Sequence, residues 1–196
     1  METNIQQKEK LVIICAPSGA GKTTIAKHLL QRFENFAFSV SATTRSIRPS
    51  EKDGVDYYFM TIDQFKQKIA NDEFAEFEEN YDNGNFYGTL KSEIKRLHDL
   101  NKVILFDVDV RGARSLKKIF GEHSLVIFVK APIYVLEERL RNRHTETEET
   151  IQKRLAAAPK ELEFQDEADV VIENIVLDKA IIDAENAVFN FMDTSL

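Results

Sequence analysis

The chain has a single cysteine, Cys15, in 196 residues. No internal disulfide can form, and a reducing compartment is the simple expectation. Seven glycines and four prolines are too few and too scattered to build a linker that would divide the chain. No apolar run approaches the length needed to span a bilayer. The first such run, Leu11 to Ala16, is too short for the core of a signal peptide, so a cytoplasmic location is expected. Positive charge is not in excess either. A formal net charge of −7 argues against broad contact with nucleic acid, although a local cluster of arginines could still grip a small phosphate ligand. Repeats and low-complexity tracts are lacking. What remains, 43% hydrophobic and 30% charged residues, is an ordinary globular composition with length for one substantial core.

The pattern along the chain alternates. "LVIICA" is a continuous apolar run suited to a strand buried on both faces, and "KTTIAKHLLQRF" follows with Ile25, Leu29 and Phe33 at helical spacing. "FAFSVS" reads as a second strand, "IDQFKQKIA" as a short helix and "FAEFEEN" as an alternating strand. A helix is expected over Thr89 to Leu100, then the strand "KVILFDVDV" ending in two aspartates, a helix near Gly112 to Phe120, and the strand "SLVIFV". A helix from Ile133, a charged segment, the strand "ADVVIEN" and a helix over Asp178 to Phe191 complete the chain, and Pro159 is expected to kink or restart the helix it falls in. Strands alternating with helices imply an α/β fold, a mostly parallel sheet flanked by helices. Residues 43 to 88 break that rhythm and are expected to form an inserted, partly antiparallel lobe.

"APSGAGKTT" is one residue away from the phosphate-loop pattern G-x-x-x-x-G-K-[ST], with Ala16 at the first glycine. It follows a buried strand and opens a helix, as the mechanism requires, because N–H groups at a helix start can cradle phosphate oxygens. In that role Ala16, Pro17, Ser18, Gly19, Ala20, Gly21, Lys22, Thr23 and Thr24 hold ATP. Lys22 reaches the β- and γ-phosphates, and the Thr23 hydroxyl takes Mg²⁺. Gly19 and Gly21 carry the steric need. Pro17 biases Ala16 toward extended backbone, where a Cβ is harmless.

Several further segments are specific. "SATTRSIRPSEKDGVDYYF", "FYGT", "FDVDVRG", "RLRNRHTETEE", "KRL" and "IEN" occur in order with the loop, and together the chain resembles the guanylate kinases over nearly its whole length. The resemblance implies a P-loop nucleoside monophosphate kinase fold in one domain. Its core would cover about 9–42, 89–138 and 155–196, with a GMP-binding lobe at about 43–88 and a lid at about 139–154. It also implies transfer of the ATP γ-phosphoryl group to GMP, and to dGMP, with Mg²⁺. Such a protein would be a monomer or homodimer contacting no nucleic acid or membrane.

The resemblance places the GMP phosphate on Arg45, Arg48, Tyr57 and Tyr87, and guanine on Glu76 with Ser41 and Thr89. Guanidinium forks suit phosphate oxygens. A carboxylate is the natural acceptor for guanine's adjacent N1–H and N2 amino donors, and Glu76 can face a cleft while Phe77 packs, with Glu78 and Glu79 as nearby competitors. Asp107 resembles the acidic position that supports Mg²⁺ through water, and Asp109 the one facing GMP; aspartates satisfied by backbone N–H groups are the alternative. Arg139, Arg143 and Arg154 resemble the arginines that close over the transferring group, and the resemblance puts Asn174 of "IEN" near adenine, a role the sequence after it leaves open. ATP and GMP bring roughly −6 in phosphate charge, which Mg²⁺, Lys22 and the five arginines more than offset until Asp107 and Asp109 restore near balance. GMP's phosphate is already anionic near neutral pH, so no general base is needed, in keeping with the lack of a persuasive catalytic His or Cys.

Three departures stand out. "FEENYDNGNF" is about two residues longer than in many relatives, Asn142 and His144 replace lid glycines, and "IVL" follows "IEN" in place of an acidic pair. Two rival readings are a kinase of a ribosyl bisphosphate and a catalytically inactive interaction module. The guanine set opposes the first, and retention of Lys22 and the arginines opposes the second.

Overall fold

A computed structural model describes residues 10–80, 84–142 and 147–194. The first strand, β1 (Leu11–Cys15), is fully buried along its length. It is followed by α1 (Lys22–Arg32), β2 (Phe36–Phe38), β3 (Ala42–Thr43), β4 (Tyr58–Phe59), α2 (Ile62–Ala70), β5 (Phe74–Asn80), β6 (Asn85–Leu90) and α3 (Lys91–Asp99). The chain continues through β7 (Val103–Asp107), α4 (Val110–Phe120), β8 (Ser124–Lys130), α5 (Ile133–Asn142), α6 (Glu148–Leu162), β9 (Val170–Glu173) and α7 (Leu177–Asp193). No helix among the described residues is long and apolar enough to cross a membrane.

Five strands in the order β2-β7-β1-β8-β9 pair in parallel throughout. Alternate residues of β1 supply the two halves of the core. Val12 and Ile14 pack with Ile25 and Leu29 of α1 and with Ala180, Ala184 and Val188 of α7. Leu11, Ile13 and Cys15 pack with Ile94 and Leu97 of α3 and with Ala113, Leu116 and Phe120 of α4. A parallel sheet needs both faces covered, which explains the unbroken apolar runs of β1 and β8. Burial also pushes the Cys15 thiol up to about 12.

The inserted lobe is a second sheet, β4-β3-β6-β5, antiparallel except between β3 and β4, with its own small core of Ala42, Phe65, Phe74 and Leu90. Its helix α2 begins in a reciprocal cap between Thr61 and Gln64.

Several boundaries differ from the sequence expectation. β2 stops at Phe38 because the chain leaves the core sheet after Ser39 N–H bonds Leu105 O at 3.0 Å. Thr89 and Leu90 belong to β6, not to the following helix, since Thr89 pairs with Glu76 across the lobe sheet. Only Asp107 ends a strand; Asp109 caps α4, its carboxylate accepting the N–H groups of Arg111 and Gly112, both at 2.9 Å. Pro159 does not restart its helix: α6 runs through it to Leu162. Phe77 was expected to pack, yet it is 46% exposed on the face of β5 opposite Glu76.

Candidate active site

Ligands of open parallel sheets gather beyond the carboxyl ends of the strands. Here the loop after β1 meets the end of β7, where Ile14 pairs with Asp107. Gly19 and Gly21 sit at φ of +89° and +91°, which side chains other than glycine rarely adopt. A Cβ on Gly21 would also run into Asn174 Nδ2. Ala16 is not among the described non-glycine residues with positive φ, which are Asp72 and Asn101. The replaced first glycine therefore imposes no backbone strain on the loop.

Two adjoining cavities occupy this end of the sheet. The first, about 290 Å³, is lined by the loop from Ala16 to Gly19, by Gly21, Lys22 and Thr23, and by Glu161 of α6. The second, about 230 Å³, is lined by Glu76, Glu78 and Tyr87 of the lobe. Lys22, Ser41, Tyr57, Asp107 and Asp109 line both. A ligand in each would thus meet at Lys22.

Lys22 forms an ion pair with Asp107 and donates to Val108 O at 2.7 Å. Arg154 donates to the Ser18 hydroxyl at 2.8 Å, and Arg139 approaches Ala20 O at 3.4 Å and Ile175 O at 3.5 Å. Asn174, which is buried, donates to Ala20 O at 2.7 Å and supports the loop from behind. Thr24 is exposed on the first turn of α1 and lines neither cavity. Arg143 and His144 lie outside the described residues.

In the lobe, Arg45 is paired with Glu51 through two bonds of 2.7 and 2.6 Å, and its guanidinium lies 4.9 Å from the Tyr57 ring centre. Arg45 holds the Glu51 carboxyl down to about 2. The Tyr57 and Tyr87 rings meet edge-on at 6.2 Å. Arg48 is exposed, and neither it nor Arg45 lines either of these two cavities. Thr89, fully buried, donates to Glu76 Oε1 at 2.7 Å and so orients that carboxylate toward the second cavity. Burial pushes the Glu76 carboxyl up, and the Thr89 bond opposes that.

Glu161 and Glu78 were not assigned from the sequence. Burial, and next the Asp109 charge, push Glu161 up. Nothing in its helical surroundings marks it as facing the loop. Glu78 did carry a signal, since alternation puts it on the same face of β5 as Glu76. Burial, then a hydrogen bond with the Asp109 carboxyl, raises Glu78 to about 9, while Arg111 Nε lies 3.5 Å from its Oε2. The Glu78–Asp109 pair therefore holds on to one proton to higher pH than a free carboxyl does. Its stabilising effect is complete below the ordinary 4.5 and is lost as pH rises through about 9. Glu78→Gln imitates the protonated form at every pH. Its melting temperature should therefore gain on the parent protein by about 3 °C or more between roughly pH 5 and pH 8. Parallel melting curves across that range would remove the shared proton.

A family model described as guanylate kinase matches residues 8–190. A guanylate kinase of Chlorobium chlorochromatii is 46% identical over 189 residues, covering 96% of this chain and 98% of the relative. One from Bacteroides fragilis is 44% identical over 184 residues, covering 93% and 90%. Among solved structures, that of guanylate kinase from Anaplasma phagocytophilum superposes with a TM-score of 0.75 at 29% identity, covering 95% of this chain and 88% of that one.

Proposed function

The chain belongs to the guanylate kinase family, and from that premise we propose how its residues serve the transfer of the γ-phosphoryl group of ATP to GMP. The observation that supports this assignment of roles is the pair of adjoining cavities that share Lys22, one beneath the phosphate loop and the other holding Glu76. ATP lies with its phosphates on the N–H groups of the loop, and GMP fills the second cavity with guanine on Glu76 and Ser41. Its phosphate lies beside Tyr57 and Tyr87, within reach of Arg45 and Arg48 once Arg45 exchanges Glu51 for phosphate oxygens.

The oxygen donors fit Mg²⁺. The Thr23 hydroxyl and the Asp107 carboxylate line one cavity, and Mg²⁺ typically takes one or two protein oxygens with water and substrate phosphates. Thr23 would hold the ion directly and Asp107 through water. When bound, the ion neutralises phosphate charge. Lys22 lines the cavity and would exchange Asp107 for the phosphates when ATP binds. Arg139 and Arg154, beside the loop, and Arg143 by resemblance, add positive charge where the transferring group carries its negative charge. A GMP phosphate oxygen forms the new P–O bond as the bond to ADP breaks, with no proton to remove. Catalysis is then positioning plus charge stabilisation.

We place the enzyme in the cytoplasm, acting on GMP and dGMP. An ADP-release assay across GMP, dGMP, AMP, UMP and ribosyl phosphates tests the reading. Turnover should occur with the two guanine nucleotides and be negligible with ribosyl phosphates. Efficient turnover of a ribosyl phosphate, or none with any acceptor, would overturn it.

A further inference from the structure

Glu93, in the first turn of α3, is a charged residue with a nearly buried carboxylate (1% exposed) that no step above uses. All its capacity is taken. Oε1 accepts from Val40 N at 3.2 Å and from Arg96 at 2.8 Å. Oε2 accepts from the Tyr58 hydroxyl at 2.9 Å and again from Arg96 at 2.8 Å. Burial alone would raise this carboxyl, yet the Arg96, Val40 and Tyr58 donors hold it below the ordinary value.

The position of these donors gives the cluster its meaning. The chain joins core to lobe twice. It leaves through 39–41, where Ser39 N–H still bonds the core strand β7 and Ser41 O already accepts from Tyr58 N of the lobe at 2.9 Å. It returns from β6 directly into α3. Glu93 stands just past the return, grips the outgoing crossing at Val40, and reaches β4 at Tyr58. One carboxylate thus ties both crossings and a lobe strand. The residues flanking these contacts line the site: Ser41 follows Val40, Tyr57 precedes Tyr58, and both border the two cavities.

We infer that Glu93 is a positioning residue for the monophosphate site, setting the angle at which the lobe presents Ser41 and Tyr57 to the core. The inference rests on the reading of the lobe as the GMP site. A buried carboxylate whose acceptor positions are all taken has few alternative arrangements: Arg96 travels with Glu93 on α3, so any shift of the lobe leaves the Val40 N–H or the Tyr58 hydroxyl unpaired. GMP touches both lobe and core and so senses that angle. ATP is held chiefly by the phosphate loop and its flanking helices, and although Ser41 and Tyr57 also border its cavity, it depends on the lobe angle far less than GMP does.

Calorimetric titrations with GMP, and separately with a non-hydrolysable ATP analogue, test this in Tyr58→Phe and Glu93→Gln. Tyr58→Phe removes only the hydroxyl and leaves the ring packed against the small lobe core, so it decides the matter alone if Glu93→Gln fails to fold. In each folded variant the GMP Kd should rise about 5- to 30-fold while the analogue's Kd stays within about twofold. The double variant should cost less than the two single losses combined, since both act on one bond. A merely structural role would weaken both ligands together, and that outcome, or unchanged GMP affinity, overturns the inference. Glu76→Gln serves as control. If it leaves GMP affinity intact, the lobe reading fails and this inference with it. If it weakens GMP while Tyr58→Phe does not, only the role of Glu93 falls.

Discussion

Lys22→Met is expected to lower turnover by about 10³-fold or more. Methionine replaces the apolar stem of lysine with an unbranched chain and lacks the ammonium, so the loop and α1 should keep their packing. What disappears is the cation beside Asp107. The parent site holds that carboxylate in an ion pair, and the Lys22 ammonium also donates to Val108 O. Without it, the β- and γ-phosphates lose a full positive charge, not a neutral donor, in a site that also contains the Asp107 carboxylate. The loss should therefore exceed that of removing one neutral donor, which typically costs about 10²- to 10³-fold. Steady-state ADP release, with a melting curve to show that the variant is folded, measures the effect. A folded variant retaining a tenth of the parent turnover would mean that Lys22 does not face the transferring group.

The second large effect is expected at Glu76. Glu76→Gln should reduce kcat/KM for GMP by about 10²-fold or more, because a site built to accept two N–H groups discriminates strongly once an acceptor is lost. In the parent protein Thr89 donates to Oε1 at 2.7 Å, and the carboxylate is buried. Guanine's two donors then complete its partners. An amide offers one oxygen, and its NH₂ must oppose either Thr89 or guanine. IMP lacks the N2 amino group, so the preference for GMP over IMP should narrow in the variant. Unchanged GMP kinetics would remove Glu76 from the site.

Local chemistry made some features legible in advance. The loop could be read from Gly19, Gly21, Lys22 and Thr23 because backbone requirement and phosphate chemistry coincide there. β1 and β8 could be read because a strand covered on both faces has no polar positions. The α3 boundary failed because the amphipathic spacing of Leu90, Ile94 and Leu97 extends into β6, where cross-strand pairing with β5 overrides it. Asp109 was placed on a strand because "FDVDV" alternates smoothly; only the three-dimensional junction shows that its carboxylate caps α4. The resemblance assigned Glu76 and Thr89 separately, while their bond depends on strand register. Glu93 gave no signal at all. An acidic residue in a first helical turn is ordinary, and its importance arises from donors 35 and 53 positions away.

The lone thiol of Cys15 has a practical consequence. It sits fully buried in the central strand and is pushed up to about 12, so in the folded protein it is both shielded and protonated. A maleimide or disulfide reagent can reach it only when β1 separates from its neighbours. The chain thus carries its own unfolding clock: the rate at which one sulfur becomes labelled reports how often the middle of the sheet opens, and the shortfall in that rate when nucleotide is added would read out binding without any assay of catalysis.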